Sequence, residues 1–256
     1  KVSLFECSQP MHRLKYWKCS EFLKNMLTRW GFSPMDNNLD IIIESDIPAG
    51  KGFAGSTADL CALYICLLKM FKRDYSIQEI IEEAIRIEPT DSIIFREMTL
   101  FDYKQGKTFT TIGEYIKVYI LAFQGPRVVD TVAFNAGKLP PLASLDDIMP
   151  WTLKALNQGK VEAIARAASI SIERNLNRLN YPVHSLVSKF CNDTGGAGII
   201  GGHSGDVLGI IYDDRERLLH YAKNIKIPDY STHILETLRR NDYERDYDYC
   251  SKQRQW

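Results

Sequence analysis

The stretch Asp46-Ile-Pro-Ala-Gly-Lys-Gly-Phe-Ala-Gly-Ser-Thr-Ala-Asp59 decides how this chain reads. The isoleucine-rich run before it, residues 39–47 (LDIIIESDI), predicts a strand. After it, Leu60, Leu63, Tyr64, Leu67, Leu68 and Phe71 recur at helical spacing and predict a helix with one buried face, starting near Ser56. The small residues between them turn the chain. A helix start presents unpaired N–H groups and a partial positive charge, and glycines let a phosphate come close to that backbone. Ser56 and Thr57 add hydroxyls for a phosphate or a Mg²⁺ ion, and Lys51 adds a cation. These are the parts of a site for a multiply charged anion; a plain strand-to-helix turn with a Ser cap is the simpler alternative.

Two other phosphate-binding patterns compete. Gly50-Lys51-Gly52-Phe53-Ala54-Gly55 satisfies the spacing of the dinucleotide fingerprint. That fingerprint needs a parallel strand after its helix, with an acidic residue about 20 positions on. Residues 76–87 read as another helix instead. Gly-Lys followed at once by Ser or Thr, as a Walker loop requires, is absent.

Working outward, residues 1–7 predict a strand and residues 20–30 a helix, with Ser20 as N-cap and Gly31 just past its end. Ser76 and Glu79 predict a capping box opening the next helix, which stops at Glu88-Pro89. Residues 93–134 predict a β-rich region: a hairpin around Gln105-Gly106, a strand from Tyr115 to Phe123, and an extended run from Val128 to Phe134. Helices are expected over 145–158, 160–178, 183–191 and 215–224, with a strand over Val207–Tyr212. The glycine-rich residues 195–205 read as a loop, and the chain from Glu236 as a solvated end. Elements alternate without a strict β-α-β beat, which favours α+β. A boundary is expected in the Gly- and Pro-bearing stretch between Phe134 and Leu145, giving domains of 1–138 and 139–256.

Lys and Arg together number 32, as do Asp and Glu, and with no long run of Lys and Arg nothing here suggests a basic surface for nucleic acid or membrane. No apolar run approaches the ~18 residues of a membrane span. The six cysteines, Cys7, Cys19, Cys61, Cys66, Cys191 and Cys250, form no C-x-x-C pair and read as reduced, mostly buried thiols of a cytoplasmic protein. The chain enters an apolar-alternating segment at once from Lys1, as a strand met part-way through a fold, so a leading segment is expected to be missing or differently arranged.

Pro48-Ala-Gly-Lys-Gly-Phe-Ala-Gly-Ser-Thr-Ala-Asp59 resembles the second motif of the GHMP kinases, P-x-G-x-G-[LM]-x-S-S-[AST]-A. Two positions depart from it: Phe53 stands where Leu or Met is usual, and Gly55 where the first Ser is usual. Glu88-Pro-Thr-Asp-Ser92, Val129-Asp-Thr-Val-Ala-Phe-Asn135 and Gly202-His-Ser-Gly-Asp-Val-Leu-Gly209 are similar to segments of the L-threonine kinases of cobalamin biosynthesis. The opening Gly-Glu motif of that family has no counterpart here.

The resemblance implies an α+β GHMP kinase fold, with a ribosomal-protein-S5-domain-2-like N-terminal half and a ferredoxin-like C-terminal half. It implies transfer of a phosphoryl group from ATP, with Mg²⁺, to the hydroxyl of L-threonine or a related small amino acid or amino alcohol. A different small hydroxylated metabolite, or a non-catalytic nucleotide-binding protein of the same fold, are the alternatives. The residues implied for ATP are Pro48, Ala49, Gly50, Lys51, Gly52, Phe53, Ala54, Gly55, Ser56 and Thr57. Asp91 falls where several family members keep a catalytic Asp; read from the residues alone, its alternative is to cap the next turn. Ser56 and Glu88 are expected at the metal, Glu88 having the alternative of a solvated helix end. His203, Ser204 and Asp130 are expected on the substrate side. A small molecule is the expected partner, with no nucleic acid and no membrane; a homodimer is an open arrangement.

Overall fold

The computed structural model describes residues 1–130, 133–134, 137–202 and 204–238. The chain forms two compact units that interleave in sequence. Unit 1 holds Lys1–Ala49, Ala54–Phe95 and Leu100–Thr110; unit 2 holds Gly50–Phe53, Arg96–Thr99 and the chain from Thr111 onward.

In unit 1, β1 (Val2–Glu6) pairs antiparallel with β2 (Leu39–Ile43), in a register that sets Val2 opposite Ile43 and Glu6 opposite Leu39. Between them lie a 3₁₀ turn at His12–Lys15 and helix α1 (Trp17–Trp30). The helix starts before the expected Ser20, whose hydroxyl instead donates to Arg13 O at 2.6 Å. The preceding turn is fixed by Asp40. Its fully buried carboxylate accepts from the backbone N–H groups of Met11, His12 and Arg13, at 2.8–3.1 Å, and from His12 Nδ1 at 2.8 Å. Those N–H groups open the 3₁₀ turn, and α1 follows after Tyr16, which makes no side-chain cap hydrogen bond. Gly31 ends α1 at φ 80°, as expected of a left-handed C-cap.

Helices α2 (Gly55–Met70) and α3 (Ile77–Ile85) complete the unit. Phe22, Leu23, Met26 and Leu27 of α1 meet Leu60, Leu63, Tyr64 and Leu67 of α2, and Ile80, Ile81 and Ala84 of α3, in one core. Each large side chain fully buried there contributes about 1.5–3 kcal/mol. Half of the expected capping box forms. Ser76 Oγ accepts from Glu79 N at 3.3 Å, but the Glu79 carboxylate takes the Tyr64 hydroxyl (3.0 Å) and the Trp30 indole N–H (3.2 Å). The Tyr64 hydroxyl, in turn, accepts the Ser76 N–H that the box would have used. The hairpin around Gln105-Gly106 joins β3 (Met98–Phe101) to β4 (Phe109–Gly113).

Unit 2 is built on a four-stranded antiparallel sheet in the order β6-β7-β5-β8, formed by β5 (Tyr119–Gln124), β6 (Gly198–Gly201), β7 (Val207–Tyr212) and β8 (Ser231–Glu236). Helices α4 (Met149–Asn157), α5 (Val161–Arg174), α6 (Leu176–Leu179) and α7 (His184–Asp193) connect β5 to β6, and α8 (Arg215–Ala222) connects β7 to β8. Strand, helices, two strands, helix, strand in that spatial order is the ferredoxin-like arrangement. Leu121, Phe123, Ile172, Val187, Leu208, Ile210, Tyr212 and Leu218 fill its core.

Three expectations change. Gly198–Gly201, read as loop, is the strand β6; a Cβ on Gly198 would lie 2.4 Å from Ala165 O, so glycine lets α5 sit directly on the strand. Val128–Asp130, read as extended, belongs to no strand, because the chain turns away after β5. β8, whose residues alternate weakly, was not expected at all. The compact units also do not coincide with a cut at 138/139, since β5 is a central strand of the ferredoxin-like sheet. No helix among the described residues is long and apolar enough to cross a membrane. Burial pushes the Cys19 thiol up to about 12, with the nearby Asp59 charge adding to it, which suits an inert structural thiol. Cys250 and the rest of 239–256 lie outside the described residues.

Candidate nucleotide site

The turn 48–57 divides between the units: Pro48, Ala49 and Ala54–Thr57 pack in unit 1, and Gly50–Phe53 in unit 2. In unit 1, α2 begins at Gly55 after Ala54, a non-glycine residue at φ 56°. A left-handed alanine costs free energy and persists only where its surroundings impose it. Ala54, at the N-cap, offers the helix no side-chain acceptor, and the first N–H groups of a helix without such a cap are available to an anion. Gly55 has a packing reason, since a Cβ there would lie 3.0 Å from Ile47 Cγ2. The Ile47 side chain is exposed and able to shift, so this contact by itself does not exclude a serine at 55.

Two acid–hydroxyl pairs occupy the first turn of α2. Ser56 Oγ donates to Glu88 Oε1, and Lys18 Nζ, from α1, donates to Glu88 Oε2 at 2.6 Å. Glu88 is 6% exposed. Thr57 Oγ1 bonds Asp91 Oδ2 at 3.3 Å and accepts from Asp91 N at the same distance. Asp91 is surface-exposed as a residue, but its carboxyl group lies against protein. That desolvation raises its carboxyl above the ordinary range, the Thr57 hydrogen bond opposes the rise, and the Glu88 charge adds to it. Asp91 also precedes a 3₁₀ turn, Ser92–Ile94, without capping it by its side chain. The expected Ser56, Thr57, Glu88 and Asp91 are therefore brought together from chain positions over 30 apart. Lys18 was not anticipated; the only signal was its place four residues before Phe22, on the inward side of α1.

A hydroxyl and a carboxylate oxygen suit a hard cation such as Mg²⁺, which prefers one or two carboxylates completed by phosphate oxygens and water. No cluster of three or more His, Cys, Asp or Glu side chains among the described residues forms a protein-only metal cage.

In unit 2, Gly50 and Gly52 adopt φ 65° and 95°. Gly52 packs against the second glycine stretch: a Cβ on it would sit 3.3 Å from Gly205 Cα and 3.4 Å from Gly202 Cα. Only glycine faces allow so close a backbone approach. Phe53 sets its ring edge-on to His233 of β8, centroids 5.5 Å apart, which gives the unusual aromatic residue a partner. Lys51 does not extend toward solvent; its ammonium lies among backbone carbonyls of residues 125–127. Ser204 is half-buried beside Gly205. Asp130 is exposed and accepts Ala133 N at 3.1 Å. His203 and Asn135 lie outside the described residues.

An α+β chain with a ferredoxin-like sheet and a glycine-rich turn opening an uncapped helix has the fold of the GHMP kinases. Residues 16–95 match the family model of the GHMP kinases N terminal domain. The chain is 24% identical over 204 residues to an L-threonine kinase of Citrobacter freundii, a match covering 77% of this chain and 71% of that protein. Its structure is similar to that of homoserine kinase from Cytophaga hutchinsonii, with a TM-score of 0.65, 13% identity, and 87% of this chain and 76% of the other covered. Streptococcus pneumoniae phosphomevalonate kinase, solved with phosphomevalonate and AMPPNP, gives a TM-score of 0.65 at 13% identity, over 91% and 89% of the two chains.

Proposed function

We propose that this protein is a small-molecule kinase that moves the γ-phosphoryl group of ATP to the hydroxyl of a small metabolite, with L-threonine or a related small amino acid or amino alcohol as acceptor. The observation that carries the reading is the uncapped start of α2 with Ser56–Glu88 and Thr57–Asp91 paired in its first turn. The similarity to L-threonine kinase over three quarters of the chain supports the acceptor class.

The backbone N–H groups of the turn, with residues Pro48 to Thr57 around them, would receive the β- and γ-phosphates, helped by the positive end of the helix. Ser56 and Glu88 would hold Mg²⁺, which supplies neutralisation of phosphate charge when bound. In the transfer, the acceptor hydroxyl oxygen bonds to the γ-phosphorus, the bond to the β-bridging oxygen breaks, and ADP leaves. The hydroxyl proton passes to a carboxylate oxygen of Asp91, whose raised affinity for protons makes it a better base than an ordinary Asp. His203, Ser204 and Asp130 are proposed for the acceptor side.

ADP release measured with L-threonine, L-serine, L-homoserine and 1-amino-2-propanol as acceptors tests the reading. Turnover is expected with at least one hydroxylated amine and to be highest for threonine or its close relatives. Tight MgATP binding with no turnover on any acceptor would remove the kinase assignment.

A further inference from the structure

Lys51 is the only Lys or Arg among residues 48–57. A lone cation in a phosphate-binding turn would ordinarily be assigned to the phosphates. Here its ammonium donates to three successive carbonyls: Gly125 O at 3.0 Å, Pro126 O at 2.7 Å and Arg127 O at 2.9 Å. An ammonium has three N–H bonds, so these contacts use all of them. The residue is 9% exposed.

The carbonyls belong to the turn that follows β5, and that turn is itself tied to Asp206. Asp206 O accepts Gly125 N at 2.7 Å. Its carboxylate, on a residue 1% exposed, accepts Arg127 N at 2.9 Å and the Arg127 guanidinium at 2.7 Å. Arg127 also donates to Asn180 O at 2.7 Å. The circuit closes on the first residue, because Asp206 N donates to Lys51 O at 3.0 Å. Sterics leave it no slack. A Cβ on Gly205 would lie 2.4 Å from Lys51 O, and one on Gly125 would lie 2.2 Å from Asp206 Oδ2. Every member of the circuit lies within unit 2.

We propose that Lys51, Arg127 and Asp206 form a charged clasp that fixes the course of Gly50–Phe53, and that Lys51 serves nucleotide binding as a positioning residue without touching phosphate. This rests on the nucleotide reading above. A turn whose amides must point at a phosphate loses affinity whenever its backbone is free to take other courses, since binding must then order it. The ammonium restrains that backbone through its own side chain, from behind. The clasp also sets two cations against one anion, and the surplus positive charge attracts a polyanion at a distance, an effect that salt weakens.

Lys51→Met, Arg127→Met, their double variant, and the shape-conserving Asp206→Asn test this in the full chain. The readouts are calorimetric affinity for MgATP and amide hydrogen exchange of residues 50–53 and 125–127 without nucleotide. Each single change is expected to weaken MgATP binding about tenfold or more and to speed exchange in the nucleotide-free protein. The double variant should lose less than the product of the single losses, since one clasp is being broken twice. With acceptor turnover as readout, the KM for ATP should rise more than kcat falls. Affinity losses that multiply in the double variant, with nucleotide-free exchange unchanged in Lys51→Met, would overturn the clasp in favour of direct phosphate contact. Normal MgATP affinity in both Lys51→Met and Asp206→Asn would overturn the positioning role. A wild-type chain that binds no MgATP would instead overturn the nucleotide reading and the positioning role with it, while the exchange data still report on the clasp.

Discussion

The Ser56 hydroxyl donates to the Glu88 carboxylate, joining the first turn of α2 to the chain just beyond α3, 32 residues later. Lys18 closes the other oxygen of the same carboxylate. Lys18 lies on α1, Ser56 on α2 and Glu88 just beyond the end of α3, so the packing of these helices in unit 1 sets the spacing of the oxygens that would face a metal. If Ser56 and Glu88 are the Mg²⁺ ligands, Ser56→Ala and Glu88→Gln should each raise the Mg²⁺ concentration needed for half-maximal activity by about tenfold or more. Glu88→Gln should also destabilise the fold by about 1–3 kcal/mol, because the buried Glu88 charge no longer meets the Lys18 ammonium. Mg²⁺ titrations of activity and urea unfolding check the two effects. An unchanged Mg²⁺ requirement in both variants would move the metal elsewhere.

Asp91 should govern the acid limb of the rate profile. A base acts when ionised, so activity rises with pH as Asp91 loses its proton. Because its carboxyl is held above the ordinary range, that limb should lie higher than for a free aspartate. Asp91→Asn should leave ATP affinity within about twofold, cut kcat by roughly 100-fold or more, and abolish the limb. A variant that keeps full turnover would leave Asp91 as a turn residue alone.

Asp40 makes the stability of unit 1 sensitive to acid. Burial pushes its carboxyl up, but the hydrogen bonds from His12, Arg13 and Ile41 outweigh it and hold the group well below the ordinary range. A carboxyl lowered in the folded state stabilises above its unfolded value, about 3.9, and that contribution fades as pH falls through and below it. Asp40→Asn should therefore cost about 1–3 kcal/mol at pH 7 and progressively less toward pH 3. Urea unfolding at both pH values measures the gap. A gap that does not narrow with acid would contradict the assignment.

Gly205 tests the close approach of the two glycine stretches. An added methyl would meet Lys51 O and the Gly52 backbone, at 2.4 and 2.5 Å, and neither is the tip of a flexible side chain. Gly205→Ala should lower stability by about 1–3 kcal/mol and weaken MgATP binding together with it. Thermal melts and calorimetry on one preparation provide both numbers. Wild-type affinity in a folded Gly205→Ala protein would show that the turn tolerates displacement.

The sequence by itself settled what depends on near neighbours. Apolar spacing marked the inward faces of α1, α2 and α3, the capping residue Ser76 marked where α3 begins, and the glycines at 50 and 52 marked a turn before a helix. The same locality explains the misses. Glycine weakens the strand signal of β6, and β8 shows little alternation because most of its side chains are exposed. Ser20 reads as a cap locally, but the helix already runs from Trp17 and the Ser20 hydroxyl turns back to Arg13 O, a partner seven residues away. Only the tertiary structure decided where Lys51 points, since its three acceptors lie 74–76 residues away. It likewise decided that Ser56 meets Glu88 and that Asp206 holds Arg127. A charged side chain carries no local record of its partner: periodicity and turn chemistry act within a few residues, whereas an ion or hydrogen-bond partner is fixed by which distant backbone the packed core brings within 3 Å.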